Sequence, residues 1–132
     1  MTPSTPHLKA LINPTNGRVN CVACAIATDS TMAGNPASAI PGGPFPISNI
    51  TRYSGRSPSS GKLAGIIQRM RIAGPGARAI VVGTRKQPDA DGVQGHAFNV
   101  INYHGLVVFL DGQGGLADPV DTFVSYMLWR TN

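Results

Sequence analysis

The spacing of apolar and polar positions changes along the chain. The stretch Cys21-Val22-Ala23-Cys24-Ala25-Ile26-Ala27-Thr28-Asp29-Ser30-Thr31-Met32-Ala33 is small and mostly apolar, with no Gly or Pro inside it. It follows Asn20, a residue type favoured at helix N-caps, and precedes Gly34, suited to the left-handed position beyond a helix end. The pattern predicts a buried helix over about 21–33. Leu63, Ile66, Ile67 and Met70 recur at helical spacing. They predict a second helix that starts at Ser59 or Ser60 and stops at Gly74-Pro75-Gly76. Its outer face carries Lys62, Arg69 and Arg71. Beyond it the apolar runs shorten to strand length: 77–83, 95–103 and 106–111. The last two are joined across His104-Gly105, a dipeptide suited to a tight hairpin turn. Residues 86–92 read as a loop, 112–115 as a turn, and 123–129 as a short final helix or strand. Helix, loop, helix and then an antiparallel sheet is an α+β order, not a βαβ alternation.

Two segments show no periodicity. Residues 1–17 read as an extended lead-in that ends in the turn Asn13-Pro14-Thr15-Asn16-Gly17. Residues 35–60 hold Pro36, Pro41, Gly42, Gly43, Pro44, Pro46, Gly55 and Pro58. That segment reads as one long irregular loop, and such loops in compact domains are often functional.

Composition narrows the chemistry. The chain has 132 residues, the size of one domain, with 42 % apolar and only 13 % charged residues. It contains no glutamate, so every mechanism that needs one is excluded, including the H-x-E zinc deaminases and the HExxH metalloproteases. The net charge of +5 is scattered and not interleaved with aromatics, which speaks against a nucleic-acid surface. It suits a cationic surface matched to an acidic partner protein. No window reaches the ~20 apolar residues of a membrane span. Residues 1–10 lack the apolar run of a signal peptide, so the expectation is a cytoplasmic protein or a fragment delivered by a longer chain. Two cysteines do not make a disulfide framework.

Cys21 falls at the expected helix tip, where the dipole lowers a thiol pKa and free backbone N–H groups can hold an oxyanion. Cys24, one turn further in, reads as a core residue, and Cys21 is the preferred nucleophile. Of the histidines, His7 lies in the lead-in and His104 in a turn. His96 lies at the start of a strand beside Gly95. With a two-residue turn at 104–105, Phe98 faces Asp111 and His96 is its diagonal neighbour on the same side of the sheet. One His and one Asp then share a space, the base and orienter of a Cys-His-Asp triad. Gln113 projects to the same side if the strand continues, to bind a substrate amide or to close the turn. Weaker readings are a redox Cys-x-x-Cys pair, a Cys₂His₂ zinc site from Cys21, Cys24, His96 and His104, and a carboxylate pair of Asp111 with Asp118 or Asp121. In a non-enzymatic binding module both cysteines would be core.

Ile12-Asn13-Pro14, Asn20-Cys21-Val22-x-Cys24-Ala25, Gly95-His96-x-Phe98-Asn99-Val100-Ile101-Asn102, Val108-Phe109-Leu110-Asp111-Gly112-Gln113 and the ending Arg130-Thr131-Asn132 resemble the papain-fold toxin domains called Tox-PL. These are predicted protein-glutamine deamidases at the C-termini of bacterial polymorphic toxins. The resemblance covers about residues 11–132. It implies a single papain-like α+β domain, with N-terminal helices on an antiparallel sheet and catalytic Cys21, His96 and Asp111. Oxyanion or substrate contacts would come from Asn20 and Gln113. It implies no metal or other cofactor, a target protein with an exposed Gln, a cognate immunity protein and action inside a target cell. The same triad would also serve a cysteine protease or isopeptidase, or a transglutaminase. Substrate choice is expected to lie in the 35–60 loop.

Overall fold

The computed structural model describes residues 5–113 and 123–132. Along the chain run α1 (Thr5–Ile12), α2 (Cys21–Met32), α3 (Ser48–Ser54), β1 (Ser59–Gly61), α4 (Leu63–Ala73), β2 (Arg78–Arg85), β3 (Gly95–Tyr103), β4 (Leu106–Leu110) and β5 (Phe123–Arg130). The strands form one sheet in the order β1-β5-β2-β3-β4, and every neighbouring pair is antiparallel. The α+β reading holds.

The β3–β4 hairpin has the register expected from a two-residue turn. Tyr103 faces Leu106 and Asn99 faces Leu110. The turn needs positive φ at both central residues, and His104 (φ 55°) and Gly105 (φ 94°) supply it. The Asn102 side chain accepts the Gly105 N–H at 2.8 Å and locks the turn.

Layering follows from alternation along the strands. One face of the sheet buries Val81, Phe98, Val100, Tyr126 and Leu128 against Ile66 and Met70 of α4. The other buries Ile80, Val82, Ala97 and Trp129 against Val22 and Ala25 of α2 and Ile50 of α3. The small residues of α2 let it lie close to β3, where Asn99 Nδ2 donates to the Ala25 carbonyl at 2.8 Å inside the helix–sheet interface.

Three expectations need correction. The lead-in is not extended over residues 5–12: it forms α1, because Leu8 and Ile12, one turn apart, bury against Cys24, Ala27 and Leu110. Residues 59–61 are not the start of a helix. They pair with β5 as an edge strand, Ser59 facing Leu128, and α4 begins only after Lys62 in an extended conformation. The 35–60 segment is not wholly irregular either. It contains α3, held by the fully buried Ile50 and closed by Gly55 at φ 70°. The final segment resolves to a strand, β5. The turn expected at 112–115 lies only partly within the described residues, and Asp118 and Asp121 lie outside them.

Candidate active site

The tip of α2 is built without a side-chain cap. Asn20 occupies the cap position with φ −104° and ψ 30°, but makes no capping hydrogen bond, contrary to the expectation for that residue. Its side chain turns away into the protein and is wholly buried. Nδ2 donates to Asn13 Oδ1 at 3.1 Å and to the Ile40 carbonyl at 3.2 Å, and Oδ1 accepts from Gln113 Nε2 at 3.3 Å. Both Asn20 amide protons are thus engaged internally, and the side chain anchors the helix tip. Asn20 therefore offers no side-chain cap to the backbone N–H groups of the first turn.

Asn13 is the centre of this anchor; in the sequence it stood out only by its place in a turn and in the Ile12-Asn13-Pro14 motif, with no role attached. It is 1 % exposed. Its Oδ1 accepts from Gly17 N and Asn20 Nδ2, and its Nδ2 donates to the carbonyls of Gly17 and Gln113. Gly17 has to be glycine, because a Cβ there would sit 2.5 Å from Asn20 Oδ1. An Asn directly before Pro at the start of a turn, where its side chain can bond the turn's own backbone, is the signal that could have pointed to it.

Cys21 is half-buried at the helix tip and Cys24 is buried behind it. The Cys21 thiol is hydrogen-bonded to His96 and accepts from the Ala97 backbone N–H. Burial pushes its pKa up, but the His96 hydrogen bond, the Ala97 N–H and the imidazolium charge outweigh burial and bring it below the ordinary thiol value. Cys24 has no such partner: burial, then Asp111 and Cys21, push it up to about 12, so it stays a neutral thiol.

His96 completes the pair. Its Nε2 lies 2.6 Å from Asp111 Oδ2, and both side chains are largely buried. Burial lowers the imidazole pKa, but the hydrogen bonds from Asp111 and Cys21 together with their charge overcome it and raise the pKa to about 9. The geometry and electrostatics favour a thiolate–imidazolium pair at neutral pH. Asp111 is held in turn, with Oδ1 accepting the Gln113 N–H at 3.0 Å. The structure therefore brings together Cys21, His96, Asp111, Asn20 and Gln113, with Asn20 and Gln113 bonded to each other.

The His96 ring is also fixed by aromatic packing. It stacks on Phe98 (centroids 6.0 Å apart) and on Phe123 (6.4 Å, planes 5° apart). The glycine that makes room for this stack is Gly83, which pairs with His96 across β2 and β3. A Cβ on Gly83 would lie 2.6 Å from the Phe123 ring. At Gly95, expected to open space beside the imidazole, a Cβ would meet Val82 only at an ordinary 3.6 Å. His104 stays in its hairpin turn, and the side chain of His7 is outside the described residues. Among the described residues no group of three or more His, Cys or Asp side chains is placed to hold a metal ion.

A groove of about 290 Å³ runs along α2 from Val22 past Ile26, Ile40 and Phe45 to Tyr53. Its far wall comes from the Pro- and Gly-rich segment and α3.

No curated protein matches the sequence. Among solved structures, two variants of the Salmonella effector SpvD share the architecture. The G161 variant superposes with a TM-score of 0.63 at 11 % identity, covering 97 % of this chain and 76 % of that one. The R161 variant gives 0.62 at 10 %, covering 98 % and 77 %. At this identity the likeness is one of fold, and it agrees with a papain-like arrangement. The family described as papain fold toxin 1, glutamine deamidase, matches residues 19–116, a span that includes the helix tip, His96 and Asp111. By that match, over well above half its length, the chain belongs to the papain-fold glutamine deamidase toxins.

Proposed function

We propose that the protein converts a glutamine side chain of a target-cell protein to glutamate through Cys21, His96 and Asp111. The observation that carries this reading is the continuous chain of contacts from the uncapped tip of α2 to Asp111: the Cys21 thiol on His96, and His96 Nε2 on Asp111.

The Cys21 thiolate attacks the Gln side-chain carbonyl carbon, and the carbonyl oxygen becomes an oxyanion. The Cys21 backbone N–H and its neighbours at the helix tip hold that charge. The Gln113 amide is the side-chain candidate beside them: one of its protons goes to Asn20 Oδ1, which fixes the plane in which the other is presented. Imidazolium at His96 gives its proton to the departing nitrogen, so ammonia leaves and a thioester remains. Neutral His96 then takes a proton from water, the hydroxide adds to the thioester carbonyl, and glutamate departs as the thiolate re-forms. Asp111 keeps the ring oriented and stabilises its charged form throughout.

The groove along α2, which starts at Val22, the residue after Cys21, would seat residues flanking the target Gln, and substrate choice would then lie partly in the 37–45 segment and α3. Delivery into the target cell on a larger toxin, and restraint by an immunity protein in the producing cell, follow from the toxin reading.

Expression in target cells of the intact protein beside Cys21→Ala tests the proposal. Proteome mass spectrometry should find one Gln converted to Glu only with the intact protein, with ammonia release and an uncut chain. A cut chain at the same site would mean a protease, and an amine joined to the Gln a transglutaminase. No Cys21-dependent change would contradict the enzyme reading.

A further inference from the structure

A second cleft lies at the opposite edge of the sheet, between α4 and the β1–β5 pair. It is about 390 Å³ in volume and is lined by Arg56, Arg69 and Arg130, the hydroxyl residues Ser57 and Ser59, and Ile72. Leu128, buried in β5, forms its floor. Sheet order puts two strands, β5 and β2, between β1 and the His96 strand β3, so the cleft is separate from the triad.

No Asp side chain among the described residues pairs with these arginines; the Arg–Asp ion pairs there use Arg18, Arg78 and Arg85. Arg56 and Arg130 both donate to the Asn132 main-chain oxygen, and Arg69 donates to Ser59 Oγ. Guanidinium groups gathered in one cleft repel one another, and an anion seated among them relieves that repulsion. Ile72, at the mouth of the cleft, is 77 % exposed and offers apolar surface that a bare phosphate would leave uncovered.

We propose that this cleft binds an acidic segment of a partner protein, its carboxylates on Arg56, Arg69 and Arg130 and an apolar side chain on Ile72 and Leu128. Planar guanidinium groups match carboxylates with two parallel hydrogen bonds, which gives the cleft a preference beyond charge alone. The proposal does not depend on the reaction at Cys21.

Fluorescence anisotropy with a labelled peptide of alternating Glu and Leu, read beside its Gln-for-Glu analogue, tests it on the intact protein. The acidic peptide should bind, and binding should weaken with added salt. Arg56→Gln and Arg69→Gln, both at exposed positions, should each weaken it about tenfold. Lys86→Gln, in the loop after β2, should leave it unchanged. In the unsubstituted protein the peptide should shift the NMR amide signals of Ser59 and Ile72, a readout that no variant's folding can confound. Equal binding of the Gln analogue, shifts confined to residues outside the cleft, or a preference for tripolyphosphate with no peptide binding would each overturn the proposal, the last in favour of a phosphate site.

Discussion

His96 Nε2 and Asp111 Oδ2 stand 2.6 Å apart across the mouth of one hairpin, and the turn at 104–105 sets that distance. The ladder ends at Asn99 and Leu110, so Asp111 leaves the strand one residue beyond its last pair. Alternation then aims both side chains to the same side. One residue more or less in the turn would send them to opposite faces.

Replacing Asp111 by Asn keeps the shape and removes the charge. His96 then loses both its hydrogen bond to a carboxylate and the attraction that hold its pKa at about 9. The imidazolium is the acid for ammonia departure, so activity should fall on the alkaline side as His96 deprotonates, near pH 9 in the unaltered protein. In Asp111→Asn that limb should move to lower pH, and the maximal rate should drop roughly 10²–10⁴-fold. Ammonia release measured across pH checks both.

The Asn13–Asn20–Gln113 bonds hold the helix tip to the loop that follows β4. Asn13→Ala and Asn20→Ala should each cost about 1–3 kcal/mol, since each leaves buried partners unsatisfied. The double variant should cost less than the two singles added, because they break the same bond. Urea denaturation of the three variants gives the comparison.

Asp29, buried in α2, is a structural charge that sequence patterning did not flag. Tyr53 Oη donates to it at 2.6 Å, Thr131 Oγ1 at 2.6 Å and Arg78 Nε at 3.2 Å. Burial, then the Asp29 hydrogen bond and charge, raise the Tyr53 pKa, so the phenol remains a donor. Asp29→Ala should destabilise by about 3 kcal/mol by stranding Arg78. The thermal midpoint should fall, while Cys21 reactivity in the folded fraction stays unchanged.

Gly83 is the packing weak point of the site. Gly83→Val would drive a side chain into the Phe123 ring that stacks on His96. Overpacking of this kind costs about 1–3 kcal/mol. Displacement of the ring should also lower the ammonia-release rate more than the stability loss accounts for, seen by assaying well below the melting point.

The parts of this molecule legible in the sequence are those where one local rule decides the outcome. Strand alternation with a two-residue turn placed His96 beside Asp111, and a small apolar run between Asn20 and Gly34 placed Cys21 at a helix tip. The misread elements depend on partners far along the chain. Residues 59–61 become a strand because β5 offers them an edge, and α1 forms because α2 and Leu110 cover Leu8 and Ile12. Asn20 resembled a cap by type, but Asn13, Ile40 and Gln113 compete for its side chain and win. Gly83 carried no local signal, because the ring it accommodates arrives from β5.

The pH dependence of Cys21 alkylation by iodoacetamide, followed by peptide mass spectrometry in the intact protein and in His96→Ala, tests the thiolate–imidazolium pair most directly. The lowered Cys21 pKa predicts rapid labelling that stays flat with pH well below the ordinary thiol value of 9.0, and a return to slow, base-dependent labelling once His96 is removed. Labelling that rises only at alkaline pH in the intact protein, or is unaltered by His96→Ala, would contradict the account.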